Sequence, residues 1–83
     1  MSTETIATAN LRAARAFIDA FAATGVRAAV LSPGARSGPL AVALDEQRGI
    51  RTYVVTDERS AAFFALGLAR ESEVAPLLVC TSG

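Results

Sequence analysis

From Thr8 to Thr24 apolar residues return at steps of three and four, at Leu11, Ala14, Ile18 and Phe21, while Arg12, Arg15 and Asp19 occupy other faces. A repeat near 3.6 gathers the apolar set on one side, so the spacing predicts an amphipathic helix. Thr5 or Thr8 can cap its start, and Gly25 stands where a left-handed residue commonly closes a helix. Arg27 to Ser32 reads as a short buried strand ended by the turn-forming Pro33-Gly34. A second helix is predicted from Gly38 to Gln47, with Ser37 as cap, Pro39 in the first turn and Leu40, Ala43 and Leu44 as its stripe. Ile50 to Val55, rich in β-branched and aromatic residues, reads as the second strand. Asp57 then suits the cap of a third helix running to about Arg70, and Leu77 to Cys80 reads as a third strand introduced by Pro76.

Strands alternating with helices imply right-handed crossovers and a parallel sheet. The expected class is therefore α/β, a βαβαβ unit preceded by a helix. A chain of 83 residues holds one small domain at most, and the third strand has no helix after it to cover it. The expectation is that residues 1–83 are the N-terminal part of a domain in a longer chain.

Composition narrows the chemistry. Hydrophobic residues are 52% and charged residues 19%, which suits a packed interior rather than a disordered tail. The eight basic residues are all arginine, scattered from Arg12 to Arg70, and are balanced by eight acids, so no basic stripe tracks a phosphate backbone. Without lysine there is no Schiff-base or P-loop lysine within these residues; without histidine there is no Ser-His triad. The lone Cys80 rules out an internal disulfide and reads as a small buried side chain near a strand end. The opening residues lack a basic segment followed by an apolar one, and the apolar run near Ala61 to Ala69 is too short for a membrane span. Reduced, cytoplasmic surroundings are expected.

In an open parallel sheet, ligands bind beyond the carboxyl ends of the strands. The segments to inspect are Ser32 to Ser37, Thr56 to Arg59 and Thr81 to Gly83. In the first, free N–H groups at a helix start can hold an anion and Arg36 can grip a carboxylate bidentately. Spacing alone favours a tight turn and a capped helix with Arg36 in solvent. Taken alone, Asp57-Glu58-Arg59 reads as a capping aspartate followed by an acid that suits the helix dipole. Gly34 and Gly38, four apart, match neither a dinucleotide fingerprint nor a P-loop.

Four short motifs in order give these segments a common meaning: Gly25-Val26-Arg27, Pro33-Gly34-Ala35-Arg36-Ser37-Gly38-Pro39-Leu40, Asp57-Glu58-Arg59 and Thr81-Ser82-Gly83. From about Leu11 to Gly83 the chain resembles the start of the pyrimidine-binding domain of thiamine-diphosphate enzymes. Within that family it is most similar to the synthase branch that makes 2-succinyl-5-enolpyruvyl-6-hydroxy-3-cyclohexene-1-carboxylate in menaquinone biosynthesis. Ala35 stands where that branch usually has serine.

The resemblance implies that Glu58 is catalytic and contacts N1′ of the aminopyrimidine, favouring the imino tautomer that takes the proton from thiazolium C2. It places Pro33 and Gly34 beside the cofactor, and Arg36 and Ser37 toward a carboxylate substrate. An apolar surrounding from strand two and Phe63 or Phe64 is expected to aid Glu58. The implied substrates are 2-oxoglutarate, which is decarboxylated, and isochorismate, which receives the resulting unit. Diphosphate and Mg²⁺ are expected on a domain absent from these residues, in a homodimer or homotetramer of the longer chain. No metal ligand is expected here. The alternatives are another thiamine-diphosphate enzyme, acetolactate-synthase-like or a 2-oxo-acid decarboxylase, and a non-catalytic truncated α/β module.

Overall fold

The structure, a computed structural model, describes residues 3–32 and 38–80. Helix α1 (Thr3–Ala23) leads to strand β1 (Ala28–Leu31), helix α2 (Pro39–Glu46), strand β2 (Arg51–Val54), helix α3 (Glu58–Ser72) and strand β3 (Leu77–Val79). The three strands form a parallel sheet in the order β2-β1-β3, so the first strand in the chain is the central one. This is the expected α/β unit of crossovers after an N-terminal helix.

Helix α1 buries Ala14 and Ile18, with Leu11 and Ala22 half-buried beside them. Covering Ile18, which is 1% exposed, contributes about 1.5–3 kcal/mol. The helix begins at Thr3, so Thr5 and Thr8 lie inside it rather than at the start expected of them. At its other end the Gly25 N–H donates to the Ala22 carbonyl and the Val26 N–H to the Phe21 carbonyl, both at 3.2 Å. That pair of bonds is a Schellman closure. Gly25 makes it possible with φ +106°, a region open to a residue without Cβ.

Strand β1 alternates between two cores. Ala29 and Leu31 face α1 and α2 and pack with Ala14, Ile18, Ala41, Ala43, Leu44 and Ile50. Val30 faces the other way, onto Ala61 and Ala65 of α3. Both faces of β1 are thus covered, as a strand inside a parallel sheet requires. Across the outer surface of the first layer, Arg15 of α1 grips Glu46 of α2 through Nε and Nη2 at 2.7 and 2.8 Å. The pair is about half-exposed, which places it among ion pairs of modest value. Gln47 donates to Asp19 alongside it.

Helix α2 takes Gly38 as its N-cap and Pro39 at its first position. Ser37, the cap expected from the sequence, lies outside the described residues. Pro39 suits the site because its missing N–H would have had no partner in a first turn. Helix α3 runs past Arg70 to Ser72, where Glu73 adopts a left-handed conformation with φ 63° and donates its N–H to the Ala69 carbonyl.

Candidate functional site

The carboxyl ends of the strands and the start of α3 converge on one corner. Asp57 is in extended conformation and its Oδ1 accepts from the Arg59 N–H at 3.1 Å, while its Oδ2 accepts from the Ser60 hydroxyl at 3.2 Å. Its carbonyl accepts the first helical bond, from the Ala61 N–H at 2.8 Å. This is the cap that the sequence indicated, and it fixes where Glu58 begins the helix.

Glu58, Ala61 and Ala65 are spaced three and four apart and so share a face of α3. The two alanines are buried against Val30, Ala61 being 0% exposed. Glu58 is the same stripe continued one turn beyond the packed region, where it is exposed above the strand ends. Small residues below it let the helix lie close to the sheet. The arrangement holds an accessible carboxylate at the first turn of α3.

An open cleft of about 500 Å³ adjoins it, lined by Asp57, Glu58, Arg59, Ala62, Leu78 and Cys80. Leu78 and Ala62 make an apolar wall, and the ionisable groups gather on the helix side. Cys80 is exposed rather than buried. The reason is positional: Leu77 and Val79 alternate toward the α1–α2 core, which turns Leu78 and Cys80 to the less covered face of an edge strand. The apolar enclosure expected of Phe63 or Phe64 is not built around Glu58. Phe63 lies on the outer side of α3 at 69% exposure, and Phe64 packs edge-on against Tyr53, ring centroids 5.1 Å apart. Neither is at the three- or four-residue spacing that would set it beside Glu58.

Ser32, at the end of β1, is a residue whose significance spacing did not indicate. It is 2% exposed, its N–H donates to the Val79 carbonyl at 2.9 Å, and its Oγ has no hydrogen-bond partner among the described residues. Thr52 Oγ1, deeper along β2 and beside Asp45 in a separate cleft, is similarly unpartnered. Pro33, Gly34, Arg36 and Ser37, with Thr81 to Gly83, lie outside the described residues. Among the described residues no cluster of acids, Cys or His is suited to a metal ion, and no helix is long and apolar enough to cross a membrane.

Residues 11–83 match the family described as "Thiamine pyrophosphate enzyme, N-terminal TPP binding domain". Three similar proteins bear the name 2-succinyl-5-enolpyruvyl-6-hydroxy-3-cyclohexene-1-carboxylate synthase. The relative from Dechloromonas aromatica is 51% identical over 78 residues, 94% of this chain and 14% of its own length. That from Geobacillus kaustophilus is 56% identical over 70 residues, 84% of this chain and 12% of its own. The protein of Myxococcus xanthus is 51% identical over 74 residues, 89% of this chain and 13% of its own. The chain thus spans about one-seventh or less of these relatives' length. No solved structure matches. On the match over residues 11–83, with Glu58 set at a helix start above the ends of a parallel sheet, the chain belongs to the thiamine pyrophosphate enzyme family through its N-terminal TPP-binding domain.

Proposed function

We propose that this chain supplies the carboxylate, Glu58, that exchanges a proton with the aminopyrimidine N1′ of thiamine diphosphate in a 2-succinyl-5-enolpyruvyl-6-hydroxy-3-cyclohexene-1-carboxylate synthase. The observation that carries the reading is the placement of Glu58: first residue of α3, exposed, and on the same stripe as the alanines that seat the helix on the sheet. An apolar wall of Leu78 and Ala62 next to an accessible carboxylate suits the edge of a flat, basic ring. The Glu58 corner fits the aminopyrimidine end of the cofactor. In this reading diphosphate and Mg²⁺ are held by a separate domain, and the working site belongs to an assembly of two or four copies of a longer, cytoplasmic chain.

When bound, thiamine diphosphate supplies the carbon chemistry at its thiazolium C2. The protein's part is local. Glu58 holds a proton at N1′, and its place at a helix start leaves the carboxylate accessible. Arg36 pairs with a carboxylate of 2-oxoglutarate or isochorismate, Ser37 adds a hydrogen bond, and Pro33 and Gly34 border the cofactor. The overall reaction, loss of CO₂ from 2-oxoglutarate and transfer of the remaining unit to isochorismate, is that of a transferase.

The test is Glu58→Gln in the enzyme containing this domain. An amide keeps the size and the helix position but cannot exchange a proton. Deuterium exchange at C2 of bound cofactor is expected to slow by orders of magnitude while the melting temperature stays nearly constant. Exchange at the wild-type rate would leave Glu58 an ordinary first-turn acid and sink the proposal.

A further inference from the structure

A buried hydroxyl without a hydrogen bond is costly, because its water is lost and nothing replaces it. Ser32 is in that state: 2% exposed, with Oγ unpartnered among the described residues. Its place in the fold shows what it is near. Along β1, Val30 faces α3 and packs with Ala61 and Ala65. Ser32 is two residues further, so alternation returns it to the same face. Its N–H still bonds to the Val79 carbonyl, so the strand geometry holds that far. Continuing the register of Val30 with Leu78 and Leu31 with Val79 sets Ser32 beside Cys80, which lines the Glu58 cleft.

The helix side gives the same answer. Two residues along a strand advance about 6.6 Å, and three residues back along a helix, from Ala61 to Glu58, about 4.5 Å. Helix α3 runs against the strand direction, because it returns the chain between parallel strands β2 and β3. Starting from Val30, which packs with both Ala61 and Ala65, Ser32 and Glu58 therefore stand within about 2–4 Å of the same level. One is a short buried donor beneath the first turn. The other is a long, exposed acceptor on the sheet-facing stripe of that turn.

We propose that Ser32 is a positioning residue for Glu58, its hydroxyl donating a hydrogen bond to one carboxylate oxygen when the side chain turns inward, leaving the other oxygen for a ring nitrogen. This rests on the proton-exchange role of Glu58 given above. It accounts for a polar atom that the free protein buries without a partner: the bond belongs to the engaged conformation.

The experiment is a double-mutant cycle in the enzyme containing this domain, with Ser32→Ala, Glu58→Gln and the pair, and Ser32→Thr as the conservative variant. Thermal melts without cofactor, nuclear Overhauser contacts between Ser32 Hβ and Glu58 Hγ with cofactor bound, and deuterium exchange at cofactor C2 are read together. Ser32→Ala is expected to melt at or above the wild-type temperature, because no bond is lost in the free state. Its C2 exchange slows roughly 10- to 100-fold, as expected for one hydrogen bond to a charged group. Adding it to Glu58→Gln produces a much smaller further slowing, and Ser32→Thr retains most of the wild-type rate. The Overhauser contact is present in the wild type.

Normal exchange in Ser32→Ala, an equal loss in the Glu58→Gln background, or absence of the Overhauser contact would overturn the assignment of Ser32 while leaving Glu58 in its role. A lowered melting temperature with unchanged exchange would make Ser32 a packing residue. Normal exchange in Glu58→Gln would remove both proposals together.

Discussion

Replacing Asp57 with alanine tests how the start of α3 is held. The change removes the acceptor of the Arg59 N–H, at 3.1 Å, and that of the Ser60 hydroxyl, at 3.2 Å. The main-chain bond from the Ala61 N–H to the residue-57 carbonyl, 2.8 Å in the wild type, survives, so the helix still forms. Loss of such a cap costs about 1 kcal/mol, and loss of a negative charge at the helix start about 0.3–1 kcal/mol. Ser60 is exposed and turns to water, adding little. The expected sum is about 1.5 kcal/mol. In a chain of 83 residues that corresponds to a fall in melting temperature of about 6–12 °C. Asp57→Asn keeps an acceptor and loses only the charge, so it should cost about 0.3–1 kcal/mol. Urea unfolding followed by far-ultraviolet circular dichroism, with thermal melts, measures both. Equal losses in the two variants would show that charge rather than the hydrogen bond fixes the turn. An unchanged alanine variant would refute the cap's role altogether.

Other outcomes follow from the same packing. Hydrogen bonding to Arg15 holds the Glu46 carboxyl below its ordinary range, against a smaller opposing effect of desolvation. A lowered folded-state value means stability that is present above the usual glutamate range and lost as pH falls through the lowered one. Glu46→Gln should thus melt below wild type at neutral pH and converge with it in acid; a gap that persists in acid would refute this. Ala61→Leu inserts bulk at a 0%-exposed contact with Val30, costs about 1–3 kcal/mol and lifts the first turn of α3. Calorimetric melts and C2 exchange should both decline, and a wild-type exchange rate would mean that Glu58 tolerates displacement. In the enzyme containing this domain, Arg36→Ala should raise the Michaelis constant of one carboxylate substrate by about 1.5–3 kcal/mol in binding terms, with only partial rescue by lysine. Unchanged constants for both substrates would return Arg36 to solvent.

Much of this architecture is written locally. The Leu11, Ala14, Ile18 series marks the buried face of α1, Gly25 marks its closure, and Asp57 marks the start of α3; each depends on near neighbours that the sequence displays. What escaped depends on distant ones. Threonine is admissible inside a helix, so nothing near Thr5 or Thr8 said that α1 begins at Thr3. Glu73 carries a conformation usually given to glycine, so α3 runs past Arg70 unannounced. Cys80 is exposed because of which face of an edge strand it takes, and the alternation of Leu77 and Val79 was the only available hint. Ser32 looked like a strand terminus, and its isolation emerges only when α3 is laid over β1. The candidate carboxylate was legible as a motif; its relation to the alanine stripe and the Leu78 wall required the fold.

The order β2-β1-β3 has a consequence for how the protein acquires its structure. Among the described residues every ladder passes through Ala28–Leu31, and this segment leaves the ribosome before either partner. It has no strand to pair with until Arg51 arrives, and no second one until Leu77. Helix α1, by contrast, is built from local bonds and forms on a much faster timescale. Helix α1 packs chiefly on α2, so the core that joins Ile18, Ala29, Leu31 and Leu44 can close only once α2 has followed β1, with β3 still outstanding. Substitutions at Ala29 or Leu31 should slow folding more than they speed unfolding, whereas those on β3, the last of the three to emerge, should act mainly on unfolding. The corner that carries Glu58 and Cys80 takes shape after the rest, because one of its walls belongs to that late strand.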